Sequence, residues 1–399
     1  MRFTLSIFIL YILAATAAAQ APPLALLNAN LIDGQSGSPQ LGMTILIRNG
    51  RIERIDRQRD GIPPEYTTVD LAGRWVMPGM IDAHTHIGDL DAARAALRAG
   101  VTTSRNMGIS HFVDIGMREL NRRGQVDLPE VLSAGYHIYP TPREGFFLDF
   151  PQLADMMPHI RGLENIRRAT RVQLERGVDV IKVNATDRAG TVSTDPRRQL
   201  YSEEEMRVIV AEAQRFGRGV AAHAHGDEGG LAAVRAGVRS IEHGTYLSTA
   251  TLELMKKRGT WLVPTLATMA EMIEPRNDVS LQIRGKHMVP RLHEATRQAI
   301  RLGVRIAAGT DTDYGPTSNF RLANEMIELI RLGLPPMDAI RAATSWSAEC
   351  LGIAERTGLL KPGFEADLVV LELDPLKHPE SALDVLMVVN NGQIAFRRF

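Results

Sequence analysis

Residues 76–86 read Val76-Met77-Pro78-Gly79-Met80-Ile81-Asp82-Ala83-His84-Thr85-His86, an apolar strand that ends in two histidines one residue apart. Four more residues of the metal-ligand type follow, each at the end of a short apolar run: Lys182, His223, His243 and Asp311. Such runs are typical of buried parallel strands. Functional groups at the carboxyl ends of parallel strands are the active-site layout of a β/α barrel.

The spacing of these residues tests that interpretation. Eight strand–helix units in roughly 250 residues give about 30 residues per unit. The steps from His86 onward are 96 residues to Lys182, then 41 to His223, 20 to His243 and 68 to Asp311. These steps correspond to about three, one, one and two units. The spacing therefore predicts a (β/α)8 TIM barrel with ligands on strands one, four, five, six and eight.

The residue types point to a metal centre. Two histidines one residue apart on a strand share a face and can bind one Zn²⁺ or similar ion. Lys182 lies among apolar β-branched residues, where burial lowers the pKa of a lysine and a neutral amine can react with carbon dioxide. The alternative for Lys182 is a side chain that reaches out to solvent at the end of its strand.

The order of these residues resembles the amidohydrolase superfamily, in the subgroup where a carbamylated lysine bridges two metals. His223-Ala224-His225-Gly226 and Ile241-Glu242-His243-Gly244-Thr245-Tyr246 look most like its imidazolonepropionase-related branch, which includes prolidases and other dipeptidases. The resemblance implies two divalent ions, with Zn²⁺ expected and Mn²⁺, Co²⁺ or Fe²⁺ as alternatives. It implies carbon dioxide bound as a carbamate on Lys182. The implied ligands are His84, His86, Lys182, His223, His243 and Asp311.

The same resemblance implies roles for individual residues. His223 would be the ligand of its pair, and His225 would lie near the rim in contact with substrate or with a ligand. Tyr246 would contact a substrate carboxylate, and the alternative is an ordinary aromatic residue at the rim. Asp311 would carry a proton from metal-activated water to the leaving nitrogen. Glu242, which alternates with His243 on its strand, is expected to make structural contacts outside the barrel lumen.

The chain departs from this branch after the third strand. Its relatives carry a Gly-Gly-His-Gly stretch there, whose histidine helps to hold the substrate carbonyl. Here the run is Thr141-Pro142-Arg143-Glu144-Gly145, and an ionised glutamate cannot donate to a carbonyl. Two replacements stay open: Arg143 could pair with a substrate carboxylate, or His137 could reach in from its strand.

Composition and the chain ends complete the prediction. The 399 residues carry a formal net charge of zero, so no basic field indicates a nucleic-acid partner. Arg2, an apolar run over residues 3–15 and Ala17-Ala18-Ala19 predict a signal peptide over 1–19, hence a periplasmic or secreted protein without a membrane span after cleavage. An uncleaved anchor is the alternative. Cys350 is the single cysteine, which excludes an intramolecular disulfide and favours a buried apolar role.

The domain organisation follows from the strand and turn patterns. Asn-Gly turns at 49–50 and 391–392 predict hairpins near both ends. Residues 20–75 and 354–399 are predicted to form the two parts of one small β-sandwich, and residues 76–353 to form the barrel. Residues 139–157, rich in aromatic residues and proline, are a candidate lid loop over its mouth. Ser202 before Glu203-Glu204-Glu205 predicts the capped start of a helix, and residues 337–351 are predicted to form another helix.

The predicted function is hydrolysis of a C–N amide bond in a dipeptide or an N-acyl amino acid by a binuclear metal centre. A cyclic amide, a lactone or a bulky aromatic amide is an alternative substrate. Deamination is less favoured, because Gly226 stands where deaminating relatives carry a glutamate. A non-catalytic barrel scaffold is the remote alternative, and a metal content of zero would distinguish it. A homo-oligomer is possible.

Overall fold

The structure is a computed structural model that describes residues 22–57 and 61–399. The predicted signal peptide over 1–19 lies outside these residues. The described chain has an α/β fold in which parallel sheets alternate with helices, as the sequence predicted. Within the described residues, no helix is both long enough and apolar enough to cross a membrane.

The strands, in chain order, are β1 Leu24–Leu31, β2 Gln40–Arg48, β3 Arg51–Asp56, β4 Thr67–Asp70, β5 Trp75–Pro78, β6 Met80–Thr85, β7 Val101–Asn106, β8 Glu130–Ser133, β9 His137–Ile138, β10 Val180–Asn184, β11 Gly219–Ala224, β12 Ser240–His243, β13 Trp261–Val263, β14 Leu368–Leu371, β15 Met387–Asn390 and β16 Gln393–Arg397.

The α-helices are α1 Leu90–Arg98, α2 Val113–Arg122, α3 Glu144–Asp149, α4 Leu163–Arg176, α5 Glu203–Arg215, α6 Asp227–Ala236, α7 Thr249–Arg258, α8 Leu266–Glu271, α9 Val279–Leu302, α10 Leu322–Arg331, α11 Pro336–Ala342 and α12 Ser345–Leu351. Short 3₁₀ helices cover Ser110–Phe112, Pro151–Met156 and Pro379–Leu383.

Strands from both chain ends form one eight-stranded sheet in the order β16-β15-β14-β5-β1-β2-β3, with β4 paired to β1. The antiparallel pairing of β14 with β5 joins the two ends. Both Asn-Gly hairpins are confirmed, since Arg48 pairs with Arg51 across the first turn and Asn390 with Gln393 across the second. The hydrogen bonds define a single sheet, so the second layer of the predicted sandwich stays a prediction.

Two parallel sheets carry the site: β6-β7-β8 and β9-β10-β11-β12-β13. Hydrogen bonds also connect them at both sides. The N–H of Asp179, just before β10, donates to the carbonyl of Ser133 at 2.8 Å. On the other side Ile306 bridges to Leu262 of β13, and Ala83 of β6 donates to the carbonyl of Ala308 at 2.9 Å. The carboxyl ends of β6, β10, β11 and β12 therefore meet at one edge.

Residues 139–157 differ from the predicted lid loop. They contain α3 and a 3₁₀ helix, and their aromatic side chains Phe146, Phe147 and Phe150 are buried. The ring of Phe146 stands edge-on to that of Tyr136, with centroids 5.5 Å apart. The segment is not a plain loop, because part of its aromatic residues belongs to the core. Its role as a lid stays a prediction, and Tyr139 and Arg143 line a cavity next to the ligand groups.

Two predictions about helices have opposite outcomes. Ser202 does begin a helix, since its hydroxyl accepts from the N–H of Glu205 in a capping box at the start of α5. The single helix predicted over 337–351 is wrong, because α11 and α12 are separate helices. Cys350 in α12 is buried at 1% exposure, which confirms its apolar environment.

The two hairpin turns pack against each other, which gives a test of the sheet. A Cβ added to Gly392 (φ +77°) would lie 2.6 Å from the Cα of Gly50, whereas one on Gly73 (φ +82°) would meet nothing within 4 Å. Both Gly392→Ala and Gly73→Ala strain the backbone. We expect Gly392→Ala to cost about 1–3 kcal/mol more, since it also overpacks the turn. Thermal unfolding of the two variants checks this, and equal midpoints would contradict it.

Candidate active site

One group of ligand-type side chains contains His84, His86 and Asp311. The Oδ1 of Asp311 lies 3.3 Å from the Nε2 of His84 and 3.0 Å from the Nε2 of His86. Ligand atoms on one tetrahedral zinc ion are about 3.3 Å apart, as bond lengths near 2.0–2.1 Å require. The three residues therefore have the spacing of ligands around one metal ion.

A second group contains His223, His225 and His243. One ring nitrogen from each lies within 4.8 Å of the others. The ring centroid of His243 is 4.5 Å from that of His223 and 4.7 Å from that of His225. All three are buried. The structure thus places His225 beside its two partners rather than at the outer rim, so each of the three could contact an ion.

Lys182 lies next to the first group. Its Nζ is 3.4 Å from the Nε2 of His84, and the residue is only 1% exposed. Burial lowers the pKa of Lys182 to about 8, against the opposing attraction of Glu242 and Asp311. A larger neutral fraction of the amine near neutral pH follows from this lowered pKa.

Each candidate histidine ligand has one ring nitrogen bound to an acceptor of the protein, which leaves the other nitrogen free for a metal. The bonds are His84 Nδ1 to Glu242 Oε2 at 2.7 Å, His86 Nδ1 to the Gly108 carbonyl at 2.9 Å, His223 Nε2 to the Asp187 carbonyl at 3.0 Å and His243 Nδ1 to Thr265 Oγ1 at 2.7 Å.

The pKa values agree with a metal centre. Burial, followed by nearby positive charge, holds the pKa of His84, His223 and His243 well below the usual histidine range. Burial lowers the pKa of His225 to about 3. Burial would raise the pKa of Asp311, but the neighbouring ring of His84, the hydrogen bond to His86 and the charge of Lys182 lower it below its ordinary value. His84, His223, His225 and His243 are thus neutral and the aspartate is ionised, as metal ligands must be.

Glu242 lies inside the site, and its expected position outside the lumen was wrong. It is fully buried, and besides its bond to His84 it accepts from Nη2 of Arg105 at 3.0 Å. Side chains alternate between faces only where the backbone stays extended. His243 has φ +73°, so alternation fails at this residue, and both Glu242 and His243 can face the metal-ligand groups.

His137 lies beside the first group. Its ring centroid is 6.0 Å from that of His86, and its Nδ1 is 2.8 Å from the Oδ1 of Asn184. A Cβ on Gly108 would lie 1.9 Å from the Nε2 of His137, so only glycine leaves room for this ring. The position of His137 fits the expectation that it reaches into the site.

The ligand groups line a cavity of about 300 Å³ at the carboxyl edge. His137, Arg143 and His225, three of the predicted substrate contacts, also line it. Tyr246 is not among its lining residues in the described chain; its ring is 6.2 Å from that of His287 instead. The side chain of Glu144 lies outside the described residues.

Three residues that support the candidate ligands through hydrogen bonds were not predicted from the sequence. Thr265 and Asp187 accept hydrogen bonds from candidate ligands, and both carboxylate oxygens of Glu325 accept the N–H groups of Leu266 and Ala267 at 2.9 Å, which follow Thr265. Asp187 and Thr265 each follow a parallel strand, and that position was the available signal. Glu325 comes from α10, and its contact depends on tertiary packing alone.

Parallel strands that bring neutral histidines, a lysine of lowered pKa and an ionised aspartate to one cavity define a class of protein able to hold metal and hydrolyse small molecules. The chain belongs to the amidohydrolase family, whose model matches residues 75–395. It is an enzyme of the hydrolase class that acts on carbon–nitrogen bonds.

Sequence comparisons support this assignment. The chain is 30% identical over 401 residues to ochratoxinase of Aspergillus niger, covering 88% of this chain and 82% of that protein. It is 26% identical over 377 residues to imidazolonepropionase of Symbiobacterium thermophilum, covering 83% and 84%. The predicted resemblance to the imidazolonepropionase and prolidase branch is thereby confirmed.

Comparisons with solved structures agree. A Xaa-Pro dipeptidase with methionine bound in its active site matches with a TM-score of 0.84 and 26% identity, over 94% of this chain and 100% of that one. The crystal structure of A. niger ochratoxinase matches with a TM-score of 0.79 and 28% identity, over 95% and 96%. The similarity therefore extends over nearly the whole fold.

The contact between Glu242 and His84 gives a test of the site. We expect Glu242→Gln to weaken zinc binding about 10- to 100-fold, because the carboxylate that orients His84 loses its charge. Zinc competition with a chromophoric chelator measures this. The matched control is Asp367→Asn, another buried acid, which directly precedes β14 and accepts hydrogen bonds from Thr357 and Asn391. Equal zinc affinity in Glu242→Gln and wild type would contradict the role of Glu242.

Proposed function

We propose that the enzyme is a binuclear metal-dependent amidohydrolase that cleaves the C–N bond of an N-acyl amino acid or a dipeptide. The observation that carries the proposal is a buried lysine accompanied by two groups of neutral or anionic ligands. Lys182 lies 3.4 Å from His84, which is in turn 5.3 Å from His243 between ring centroids. One cavity thus contains ligands for two ions and an amine whose carbamate could bridge those ions.

The donor set fits two divalent ions, with zinc expected for imidazole and carboxylate ligands. His84, His86 and Asp311 would hold one ion, and His223 and His243 the other. The carbamate that carbon dioxide forms on Lys182 would supply anionic oxygen to both ions. Bound ions of this kind polarise a carbonyl and make water acidic enough to react near neutral pH.

The residues of the chain then have separate tasks. Asp311, which its lowered pKa keeps ionised, would accept the proton of the attacking water and donate that proton to the leaving nitrogen. His137 and His225, which line the same cavity, would hold the substrate carbonyl and the atoms next to it. Arg143, at the cavity wall, is available for an anionic group of the substrate.

Hydrolysis of a bulky aromatic amide is the second candidate. A neighbouring cavity of about 570 Å³ shares His86, His137 and Arg143 with the ligand cavity, and its wall includes Tyr136 and Tyr139. An acyl group with a ring system could occupy it.

The proposal extends to the architecture and location of the enzyme. The bridges of Ile306 to Leu262 and of Thr312 to Thr85 support a closed (β/α)8 barrel over 76–353. The pairing of β14 with β5 supports a β-sandwich built from 20–75 and 354–399. We further propose a cleaved signal peptide over 1–19, a periplasmic or secreted location and a homo-oligomer. Cell fractionation and N-terminal sequencing test the signal peptide.

The proposed reaction is tested with zinc-loaded enzyme on N-acetyl amino acids and dipeptides. The measurement is the release of acetate or of the free amine. We expect Asp311→Asn to lower kcat by about a thousandfold, because a proton acceptor and metal ligand is lost. Asp338→Asn is the matched control, since Asp338 pairs with Arg341 on α11. No release by the wild-type enzyme would contradict this substrate class, and full activity in Asp311→Asn would contradict the role of Asp311.

The pKa of Lys182 gives a prediction of pH dependence. Carbon dioxide reacts with the neutral amine, and burial lowers the pKa of Lys182 to about 8, so the neutral fraction rises with pH and levels off above about 8. We expect the rate at which metal-free enzyme regains activity with zinc and a fixed carbon dioxide concentration to follow that curve. A rate that still rises about sevenfold between pH 9 and 10 would indicate an ordinary lysine of pKa near 10.4.

A further inference from the structure

Arg188 stands at the mouth of the active site. It follows the lysine strand β10 by four residues and lines the ligand cavity together with His86 and Asp311. It also lines the adjoining cavities of about 570 and 380 Å³. A substrate that enters the ligand cavity from either side therefore passes this side chain.

The segment that carries Arg188 is held firmly. Arg284 of α9 donates hydrogen bonds from its guanidinium to four carbonyls of that segment, those of Ala189, Thr191, Val192 and Thr194, at 2.6–3.0 Å. The carbonyl of Arg188 accepts from the hydroxyl of Thr194, and the N–H of Asp187 donates to the carbonyl of Arg198 at 3.1 Å. A fixed backbone next to Arg188 lowers the entropy lost when its side chain binds a ligand.

The guanidinium of Arg188 has no hydrogen bond or ion pair to another side chain within the described residues. Asp313 and Glu271 line one of the adjoining cavities, but neither lies within ion-pair distance of Arg188, and Glu271 pairs with Arg276. By contrast Arg197 and Arg198, on the same segment, are paired with Asp195 and Asp187. Arg188 is thus a free cation facing a site for small molecules.

We infer that Arg188 binds the free carboxylate of the substrate amino acid and so determines specificity for anionic amides. The inference rests on the proposed hydrolysis of N-acyl amino acids or dipeptides. A guanidinium can donate two parallel hydrogen bonds to a carboxylate, a geometry that a neutral carboxamide does not match. Tyr246, the residue expected from the sequence to make this contact, does not line the cavity in the described chain, whereas Arg188 does.

The electrostatic effect of Arg188 on nearby side chains agrees with its assignment as the carboxylate-binding residue. Burial is the main reason for the lowered pKa of His137 and of His223, and the charge of Arg188 contributes to both shifts. Its charge therefore reaches the groups around the ligand cavity. Arg284 acts as a positioning residue, because its four hydrogen bonds fasten the segment without entering the ligand cavity.

The test compares two probes, N-acetyl-L-methionine and N-acetyl-L-methioninamide, which differ only in the carboxylate. Acetate release by zinc-loaded enzyme is measured for wild type and Arg188→Gln. We expect kcat/KM for the acid to fall about ten- to hundredfold in the variant, as the loss of a hydrogen bond to a charged group implies. The value for the amide should change less than about threefold, because the amide lacks the charge.

Two further variants distinguish the alternatives. Arg197→Gln removes a paired arginine from the same segment and should leave both probes unaffected. Arg143→Gln tests the other arginine of the cavity wall, and a selective loss for the acid there but not in Arg188→Gln would overturn the inference. An equal loss for acid and amide in Arg188→Gln would also overturn it, since it would indicate a structural role.

Failure of the proposed function gives a different result. If wild-type enzyme releases acetate from neither probe, hydrolysis of this class is wrong, and calorimetric binding of the same two probes tests Arg188 by itself. Tighter binding of the acid by wild type, with the preference lost in Arg188→Gln, would support the inference. Equal or absent binding of the two probes would overturn it.

Discussion

The burial of Lys182 is the constraint on which the site depends. An ammonium group at 1% exposure is costly unless it is neutralised or given a partner, and the lowered pKa of this lysine expresses that cost. The negative charges of Glu242 and Asp311 offset the effect of burial only in part, and the surrounding histidines are neutral. A carbamate on Lys182 between two metal ions would make the same buried position favourable, because the negative charge of the carbamate and the positive charges of the ions then compensate each other.

The fold stabilises this centre through residues that form hydrogen bonds with the histidine ligands. Glu242 is fixed by Arg105 and orients His84, while Glu325 holds the start of α8, where Thr265 orients His243. The loss of such a partner typically lowers metal affinity or activity about 10- to 100-fold. His243 and Asp311 have φ of +73° and +57°, a strained conformation for residues with side chains. Hydrogen bonds hold both residues in place: His243 to Thr265, and the N–H of Asp311 to the carbonyl of His84.

Local patterns predicted much of this structure. Local sequence predicts the two Asn-Gly hairpins, the capped helix α5 and the position of each ligand after an apolar run. These features depend on residues that are neighbours in the chain, so they can be predicted without knowledge of tertiary packing. What failed depends on tertiary packing. The positive φ of His243 reversed the expected side of Glu242, and the aromatic residues of 139–157 are buried in the core. Tyr246 is not among the residues that line the ligand cavity in the described chain. Arg284 and Glu325 lie far along the chain from the segments they hold.

The central claim is that two metal ions share Lys182. The most direct measurement is anomalous diffraction at the zinc edge from crystals grown with zinc and bicarbonate. The account predicts two anomalous peaks, one among His84, His86 and Asp311 and one beside His223 and His243, with density for a carboxyl group on the Nζ of Lys182. One peak, or two peaks with an unmodified Lys182, would contradict it.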